Sequence, residues 1–346
     1  RWQEKWDNLP TIKGNLSDGL LKALDTKPKV EKQLETTNTE AYELYLKAKH
    51  TYEKRKNIDD TNNVRILLEK SIKLDNNLIT AQNYLGWTYS QIGEYELSME
   101  IYLSALKQAK QMDNKYEIGA ILNNIGGIYW YKGDYDDAFN YYTKSFEMAN
   151  ELNNKSIMGK SIYSLGVIYW IKGNFDKALK NLNFSLKIAK ELNKKSQIGK
   201  SYNRIGVIYG DRGDYTQALE YFNKSLYIQE EIGNLRRMAN CLSNVGIVYS
   251  KQGEANIALG YYKKSLKIKE KIGDKFGMAF NFYNIGTVFS ENADYQMALN
   301  YYEKSLKIRI ELDDKRGIGM SLFNIGDVFS IINDLYISSM TLFILL

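Results

Sequence analysis

Few side chains in this 346-residue chain are of the types that perform catalysis. His50 is the single histidine, the residue that most often serves as a general base near neutral pH, and we interpret it as a structural or surface residue. Cys241 lies beside core positions of a predicted helix, which favours a partly buried and unreactive thiol. Carboxylate pairs such as Asp136 and Asp137 fall at exposed helix ends, whereas a catalytic dyad needs a secluded cleft. We therefore predict no catalytic residue, no cofactor, no metal site and no enzyme activity.

Binding chemistry is better represented. Lys200 and Arg204 are one helical turn apart, and Lys160 occupies the position of Lys200 forty residues earlier. Such cations bind carboxylates, and the arginine fork can do so through two parallel hydrogen bonds. Asparagines recur at the same interval, at Asn124, Asn244 and Asn284 among others. These amides could grip a peptide backbone, or they could hydrogen-bond between neighbouring helices.

Composition limits the class of protein. The chain is 44% hydrophobic and 25% charged, with a net charge of +6, and no apolar run approaches the ~20 residues of a membrane-spanning helix. Basic and acidic residues alternate instead of forming blocks, which is typical of a solvated surface. We predict a cytoplasmic protein without a membrane or nucleic-acid partner. An RNA-binding repeat needs a base-contacting pair in each unit, and the matching positions follow no such code.

The elements that must position these residues repeat at a fixed interval. Leu122, Ile125 and Tyr129 share one helical face with a glycine, and a second stripe begins at Ala138 and continues through Tyr142. This predicts a pair of helices, A and B, in each unit. The glycine of helix A returns every forty residues, at Gly86, Gly126, Gly166, Gly206, Gly246, Gly286 and Gly326.

Small residues give this repeat its packing. Gly126 and Ala138 should let the axes of helices A and B approach closely, while Ser145 is small where helix B should meet the next unit. Three pairs are expected to form the turn between A and B, with a left-handed glycine and then a side-chain oxygen for the next helix N-terminus: Gly133-Asp134, Gly173-Asn174 and Gly213-Asp214. A lone pair cannot bury both faces, so the units should stack into an all-α, right-handed α-solenoid.

The string "LNNIGGIY...DYDDAFNYYTKSF" resembles the tetratricopeptide repeat, with six residues added to the usual unit of about 34. The longer unit is similar to the repeats of kinesin light chains and of G-protein-signalling modulators. The resemblance runs from about Ala41 to Asn333 and implies a signalling or scaffolding protein that binds other proteins. We divide the chain into an N-terminal helix and linker (1–39), a degenerate first repeat (40–78), six repeats (79–316) and a partial, truncated last repeat (317–346).

The N-terminal segment, with an amphipathic helix expected at about Leu16 to Leu24, resembles the junction of bacterial proteins that fuse a TolB-like or adenylyl-cyclase-like module to such repeats. This implies an alternative function, the regulatory or sensory tail of a multidomain signalling protein whose adenylyl-cyclase-like or kinase-like catalytic module lies elsewhere.

The C-terminal segment departs from the repeat. Leu342 to Leu346 are apolar where helix B should present a polar outer face. We favour a truncation or a reading-frame error over a natural surface that a partner covers.

In a solenoid of this family the helix A faces line a concave groove, and the resemblance places eleven residues there. These are Asn123, Asn124, Trp130, Lys160, Tyr163, Trp170, Lys200, Asn203, Arg204, Asn244 and Asn284. Lys160, Lys200 and Arg204 should converge, with Lys200 and Arg204 exposed. Lys200 and Arg204 also match part of the carboxylate clamp of some family members, but the rest of that pattern is absent. The sequence thus favours a non-catalytic scaffold that binds a peptide or partner helix, acidic or amphipathic in character.

Overall fold

A computed structural model describes residues 38–54 and 58–345, and the predicted helix at Leu16 to Leu24 lies outside them. The described chain contains fifteen helices and no strand. It falls into two compact units, unit 1 up to Ile168 and unit 2 from Tyr169 onwards. Unit 1 contains α1 (Thr39–Lys54), α2 (Ile58–Leu74), α3 (Ile79–Ser90), α4 (Tyr95–Gln111), α5 (Lys115–Lys132), α6 (Tyr135–Glu151) and most of α7 (Lys155–Ile171). Unit 2 continues with α8 (Phe175–Glu191), α9 (Lys195–Asp211), α10 (Tyr215–Glu231), α11 (Leu235–Lys251), α12 (Ala255–Lys271), α13 (Lys275–Glu291), α14 (Tyr295–Glu311) and α15 (Lys315–Leu345).

Within each unit the helices form consecutive antiparallel pairs, as the forty-residue repeat predicts. Odd-numbered helices are the A helices and even-numbered helices are the B helices. In both units A helices pack on the B helix of their own pair, as α5 does on α6 and α9 on α10, and B helices pack on the next A helix, as α4 does on α5 and α10 on α11. The prediction of an all-α solenoid of stacked helix pairs is confirmed.

The close approach of helices A and B depends on the repeated glycine. In unit 1, a methyl group on Gly126 would lie 2.8 Å from the ring of Tyr142 and 3.3 Å from the carbonyl oxygen of Ala138. In unit 2, a methyl group on Gly206 would lie 2.8 Å from the ring of Phe222. Glycine is therefore required because the aromatic ring of helix B occupies the space beside the helix A backbone.

The serine of helix B ties three helices together. The Ser145 hydroxyl donates to the carbonyl oxygen of Gly119 at 2.7 Å, and it lies 2.7 Å from the Ser161 hydroxyl of the next A helix. In unit 2, Ser225 makes the same contact with Gly199 at 2.8 Å. The predicted role of the small residue where helix B meets the next helix pair is thus confirmed.

The turns between A and B follow the prediction with one exception. Gly133, Gly173 and Gly213 have positive φ values of 87°, 75° and 79°. Asn174 accepts a hydrogen bond from the backbone N–H of the third residue that follows it, as does Asp214. The prediction is wrong for Asp134, whose side chain makes no such bond, although its backbone dihedral angles match those of Asp214.

The last helix has 31 residues, whereas the other described helices have 12 to 18. α15 runs without a turn from Lys315 to Leu345. It includes Asn333, whose position in earlier repeats is a turn residue between helices A and B. The sequence instead indicated a partial repeat with a helix B in this place. No helix in the described ranges combines the length and apolar character that crossing a bilayer demands.

Candidate functional site

The A helices of successive pairs contact each other directly, α3 with α5 in unit 1, and α9 with α11 and α11 with α13 in unit 2. One side of α5 carries Asn123, and the other A helices have equivalent positions on the same side. We call this side of the A helices the A-face. All eleven predicted groove residues lie on A helices. Five belong to unit 1 and six to unit 2, so the A-face is described separately in each.

Hydrogen bonds between neighbouring A helices use part of the asparagine row. Asn124 Nδ2 donates to Asn83 Oδ1 at 2.8 Å in unit 1. Asn244 Nδ2 donates to Asn203 Oδ1 at 3.0 Å in unit 2. These contacts match the structural alternative raised by the sequence. Asn284 differs, because its buried Nδ2 has no hydrogen-bond partner among the described residues.

Unit 1 contains a buried carboxylate that the sequence did not single out. Glu117 is 2% exposed and accepts hydrogen bonds from Thr80 Oγ1 and Asn83 Nδ2, both at 3.1 Å. Since Asn83 also accepts from Asn124, a polar chain runs across the faces of α3 and α5. The protein around the Lys160 ammonium lowers its pKa by desolvation, while the negative charge of Glu117 raises it and the positive charge of Lys49 lowers it.

Two further groove residues of unit 1 have unused polar atoms. The Asn123 Oδ1 and Trp130 Nε1 atoms are buried and lack a hydrogen-bond partner within the described chain. Trp130 packs edge-on against Tyr131, with ring centroids 4.9 Å apart. Tyr163 is half-buried on α7. Polar atoms of this kind are almost always satisfied in folded proteins, so these two need an explanation.

In unit 2 the groove residues Trp170 and Arg204 form a cation–π pair. The guanidinium carbon lies 4.6 Å from the indole ring centroid. Trp170 Nε1 donates to Asp211 Oδ2 at 2.7 Å, which fixes the indole plane. Arg204 Nε is buried without a hydrogen-bond partner among the described residues. Lys200 and Arg204 are half-buried, whereas the sequence predicts that both are exposed. For Arg204, stacking on Trp170 covers part of the side chain.

The convergence of Lys160 with Lys200 and Arg204 stays a prediction, because Lys160 belongs to unit 1 and the other two to unit 2.

Unit 2 also contains two buried cations on B helices that sequence reasoning missed. Lys269 is 1% exposed and Arg309 is 5% exposed. They occupy the repeat position that is alanine in three earlier B helices and glutamine in a fourth, at Ala109, Ala149, Ala189 and Gln229. Interruption of this alanine series was the signal that could have identified them.

The ammonium group of Lys269 has three neutral hydrogen-bond acceptors. It donates to Ser243 Oγ at 3.0 Å, to Asn281 Oδ1 at 2.9 Å and to the Gly277 carbonyl oxygen at 3.1 Å. Burial lowers the pKa of Lys269 from 10.5 to about 8, and the charge of Asp274 partly opposes this. Arg309 Nε has no hydrogen-bond partner in the described ranges, and its guanidinium carbon lies 5.2 Å from the Tyr283 ring centroid.

The residues with catalytic potential are not brought together. His50 is exposed on α1. Cys241 is 1% exposed, and burial raises the pKa of its thiol to about 11, which disfavours the reactive thiolate. Asp136 and Asp137 are exposed in the first turn of α6. No group of three or more potential metal ligands occurs in the described part of the chain.

Several solved structures have this fold. RapI in its apo form matches with a TM-score of 0.62 and 16% identity over 80% of this chain and 99% of its own. A Rap protein complexed with competence and sporulation factor matches with a TM-score of 0.58 and 14% identity over 95% and 94% of the two chains. A signal transduction ATPase with a tetratricopeptide repeat sensor, from Pyrococcus horikoshii, has a TM-score of 0.57 and 14% identity over 86% of this chain and 54% of its own. At such identities the likeness concerns the fold.

Sequence comparison gives the family. No curated protein matches the chain significantly. One family model described as "Tetratricopeptide repeat" matches residues 117–193 and 197–271, and a second with the same description matches 80–112 and 281–309. These segments cover more than half of the chain, and they coincide with the stacked helix pairs of both units. The chain belongs to the tetratricopeptide repeat family.

Proposed function

We propose that this protein is a non-catalytic interaction scaffold that binds a peptide or a partner helix along its A-face. The fold and family are those of protein-interaction scaffolds, and repeats of this type are typically non-catalytic. The observation that carries the proposal is a set of four predicted groove residues with buried, unpaired polar atoms. These atoms are Asn123 Oδ1, Trp130 Nε1, Arg204 Nε and Asn284 Nδ2.

Three of these atoms are donors and one is an acceptor. A peptide offers both kinds of partner at every residue, since each backbone unit carries one N–H and one C=O. A bound main chain could satisfy the acceptor through its N–H and the donors through its C=O, and an acidic side chain could satisfy the donors; burial of each such group without a partner costs about 1–3 kcal/mol.

The A-face of unit 2 favours acidic ligands. Lys200 and Arg204 present two positive charges one helical turn apart on α9. The Trp170 indole beneath the guanidinium restrains Arg204, so less side-chain entropy is lost when a carboxylate binds. Trp170 also offers a flat apolar contact for an aromatic or aliphatic side chain of the ligand.

A regulatory tail of a larger signalling protein is the second candidate. The match to a signal transduction ATPase with a tetratricopeptide repeat sensor, of whose chain this protein covers 54%, supports this possibility. In that case the A-face would bind a regulator, and another module would carry out catalysis. Sequencing the gene upstream of Arg1 tests this, since an open reading frame that encodes no catalytic or DNA-binding module would refute it.

Peptide selection followed by a matched charge reversal tests the main proposal. Peptides from a random displayed library are selected on the purified chain and measured by fluorescence anisotropy. We expect Arg204→Glu to weaken selected peptides by more than about tenfold, because the variant replaces attraction with repulsion. Lys187→Glu, an exposed site on α8, is the control and should leave affinity unchanged. Equal affinities for the two variants, or no enriched peptide, would refute binding at the A-face.

A further inference from the structure

The A-face becomes aromatic and apolar towards the C-terminal pairs of unit 2. The position of Lys200 in α9 is occupied by Phe280 in α13 and by Met320 in α15. Phe280 is 38% exposed, and Phe276, one turn earlier on the same face, is 63% exposed. On α15, Phe323 is 73% exposed. The hydrogen bond of 2.9 Å from Asn324 Nδ2 to the Tyr283 hydroxyl joins the two helix faces side by side.

The two buried cations lie beneath this surface, between successive A helices. Lys269 reaches between α11 and α13, where it contacts Ser243 and Gly277, and its ammonium lies 5.8 Å from the Phe280 ring centroid. Arg309 lies in the equivalent place between α13 and α15, next to Gly317. Both cations are therefore recessed below aromatic residues of the A-face.

Neither cation forms an ion pair among the described residues. The acceptors of Lys269 are all neutral, and Asp274 and Asp314 act on Lys269 and Arg309 only through space. A buried charge without a direct ion pair is unfavourable, because the interior solvates it less well than water does, and the through-space attraction of Asp274 and Asp314 offsets this cost only in part. Two such charges occur in successive repeats, at a position that is alanine or glutamine in α4, α6, α8 and α10, and this indicates a function that offsets their cost.

We infer that the A-face of α13 and α15 binds an acidic amphipathic helix of a protein partner, an inference that rests on the proposed function and defines the chemistry of one part of its site. Large apolar side chains of the partner pack on Phe276, Phe280 and Phe323. A carboxylate beside them accepts a hydrogen bond from the Arg309 guanidinium, whose Nε lacks a partner in the described chain. Lys269 adds positive electrostatic potential beneath the same surface. Its attraction for a carboxylate is stronger in the protein interior, where the dielectric constant is low, than it would be in water.

A helix fits this surface better than a lipid bilayer does. Phe276 and Phe280 are exposed on α13 and Phe323 on the neighbouring α15, and an amphipathic helix can pack its apolar face against such apolar side chains. An anionic membrane is attracted by exposed lysines and arginines, whereas Lys269 and Arg309 are 1% and 5% exposed. A protein side chain that inserts between neighbouring A helices can bring its carboxylate closer to these recessed cations than a lipid headgroup at the surface can.

Three labelled synthetic peptides of about 14 residues, roughly four helical turns, test the inference with the complete chain by fluorescence anisotropy. The parent has leucine at every third or fourth position with glutamate beside each leucine. One counterpart has glutamine for glutamate, and the other has alanine for leucine. We expect the parent to bind at least about tenfold more tightly than either counterpart, since it alone offers both charge and apolar contact.

Removal of the cations should abolish the preference for glutamate. Lys269→Met and Arg309→Met are each expected to weaken the parent peptide about tenfold, while the midpoint of thermal unfolding of the free chain rises. A purely structural lysine or arginine would show the opposite change in stability. Arg309→Lys, which retains the charge, should keep most of the affinity and serves if Arg309→Met fails to fold. Lys267→Met and Lys307→Met alter exposed residues of the same helices and are the matched controls.

Equal binding of the glutamate and glutamine peptides, or full binding by both methionine variants, would overturn the inference. So would binding to phosphatidylserine vesicles that depends on Phe276 without peptide discrimination. The proposed function fails separately from this inference. Library-selected peptides that depend on Arg204 but not on Lys269 or Arg309 refute only the acidic-helix site, whereas the absence of any A-face-dependent peptide refutes both.

Discussion

Lys269→Met should stabilise the isolated protein at neutral pH, although it removes three hydrogen bonds. Burial lowers the pKa of this lysine from 10.5 to about 8. A difference of ~2.5 pKa units corresponds to roughly 3 kcal/mol of destabilisation of the charged form in the folded state. Methionine has a similar length and no charge. The loss of hydrogen bonds offsets part of the gain, because Asn281 Oδ1 keeps only its bond to Ser243, so we expect a net increase of about 1–2 kcal/mol.

The pH dependence of the free energy of unfolding tests independently whether the charge of Lys269 destabilises the folded protein. Because the folded pKa of Lys269 lies below the unfolded value, the unfolded chain binds more protons between about pH 8 and 10.5. The free energy of unfolding of the wild type should therefore rise in this interval, while below about pH 8 the full penalty remains. Measurements between pH 7 and about 9.5 avoid the ionisation of tyrosines, whose ordinary pKa is near 10.

Urea unfolding at several pH values, followed by circular dichroism, measures both effects. The variant should be more stable than the wild type at pH 7, and the difference should shrink as pH rises. Lys267→Met changes an exposed lysine two residues away and should alter neither quantity. A variant that is less stable at pH 7 by more than about 1 kcal/mol, or a constant difference across the pH range, would refute the account of Lys269 as a buried, unneutralised charge.

Two further substitutions test the packing and the turns. Gly206→Leu should greatly reduce the helical circular dichroism signal, because a methyl group there already falls 2.8 Å from the Phe222 ring. The control Gly260→Leu meets open space and should be tolerated. A normal signal for Gly206→Leu would contradict the packing account. Ala293→Gly should stabilise the protein by about 0.5–1 kcal/mol in thermal unfolding, since Ala293 has a φ of 60°, a value that alanine adopts with strain. No change in the midpoint for Ala293→Gly would show that this strain is relieved in solution.

The repeat made the fold predictable from the sequence. Gly126 and Gly206 recur because a neighbouring ring leaves no space for a side chain, so each of these glycines marks a close contact between helices A and B. Local signals were weaker guides, as Asp134 shows, because it has the residue type and backbone angles of a helix cap yet makes no capping bond. Likewise, Asn333 resembles a turn residue but lies inside α15.

The candidate site was only partly predictable, for a physical reason. The sequence places Asn124 and Asn244 on a helix face, but whether an amide faces a ligand or a neighbouring helix depends on distances across the stack. Lys269 and Arg309 were missed because they lie on B helices, and only the packed structure shows that their long side chains pass between A helices. Glu117 was missed for the same reason, since its partners lie more than thirty residues earlier in the chain.

The glycines at the start of α13 and α15 determine which helix pairs can be neighbours. A methyl group on Gly277 would lie 2.9 Å from Lys269 Cδ, and one on Gly317 would lie 2.7 Å from Arg309 Cδ. Each long cation thus faces a glycine in the pair that follows. In an earlier repeat the cation position is Ala189, and the glycine position is Gln197. If a helix pair were moved to another position in the chain, its lysine could face a glutamine instead of a glycine. The contacts between successive pairs therefore restrict the order of the pairs, and an engineered rearrangement has to exchange the cation and the glycine that faces it together.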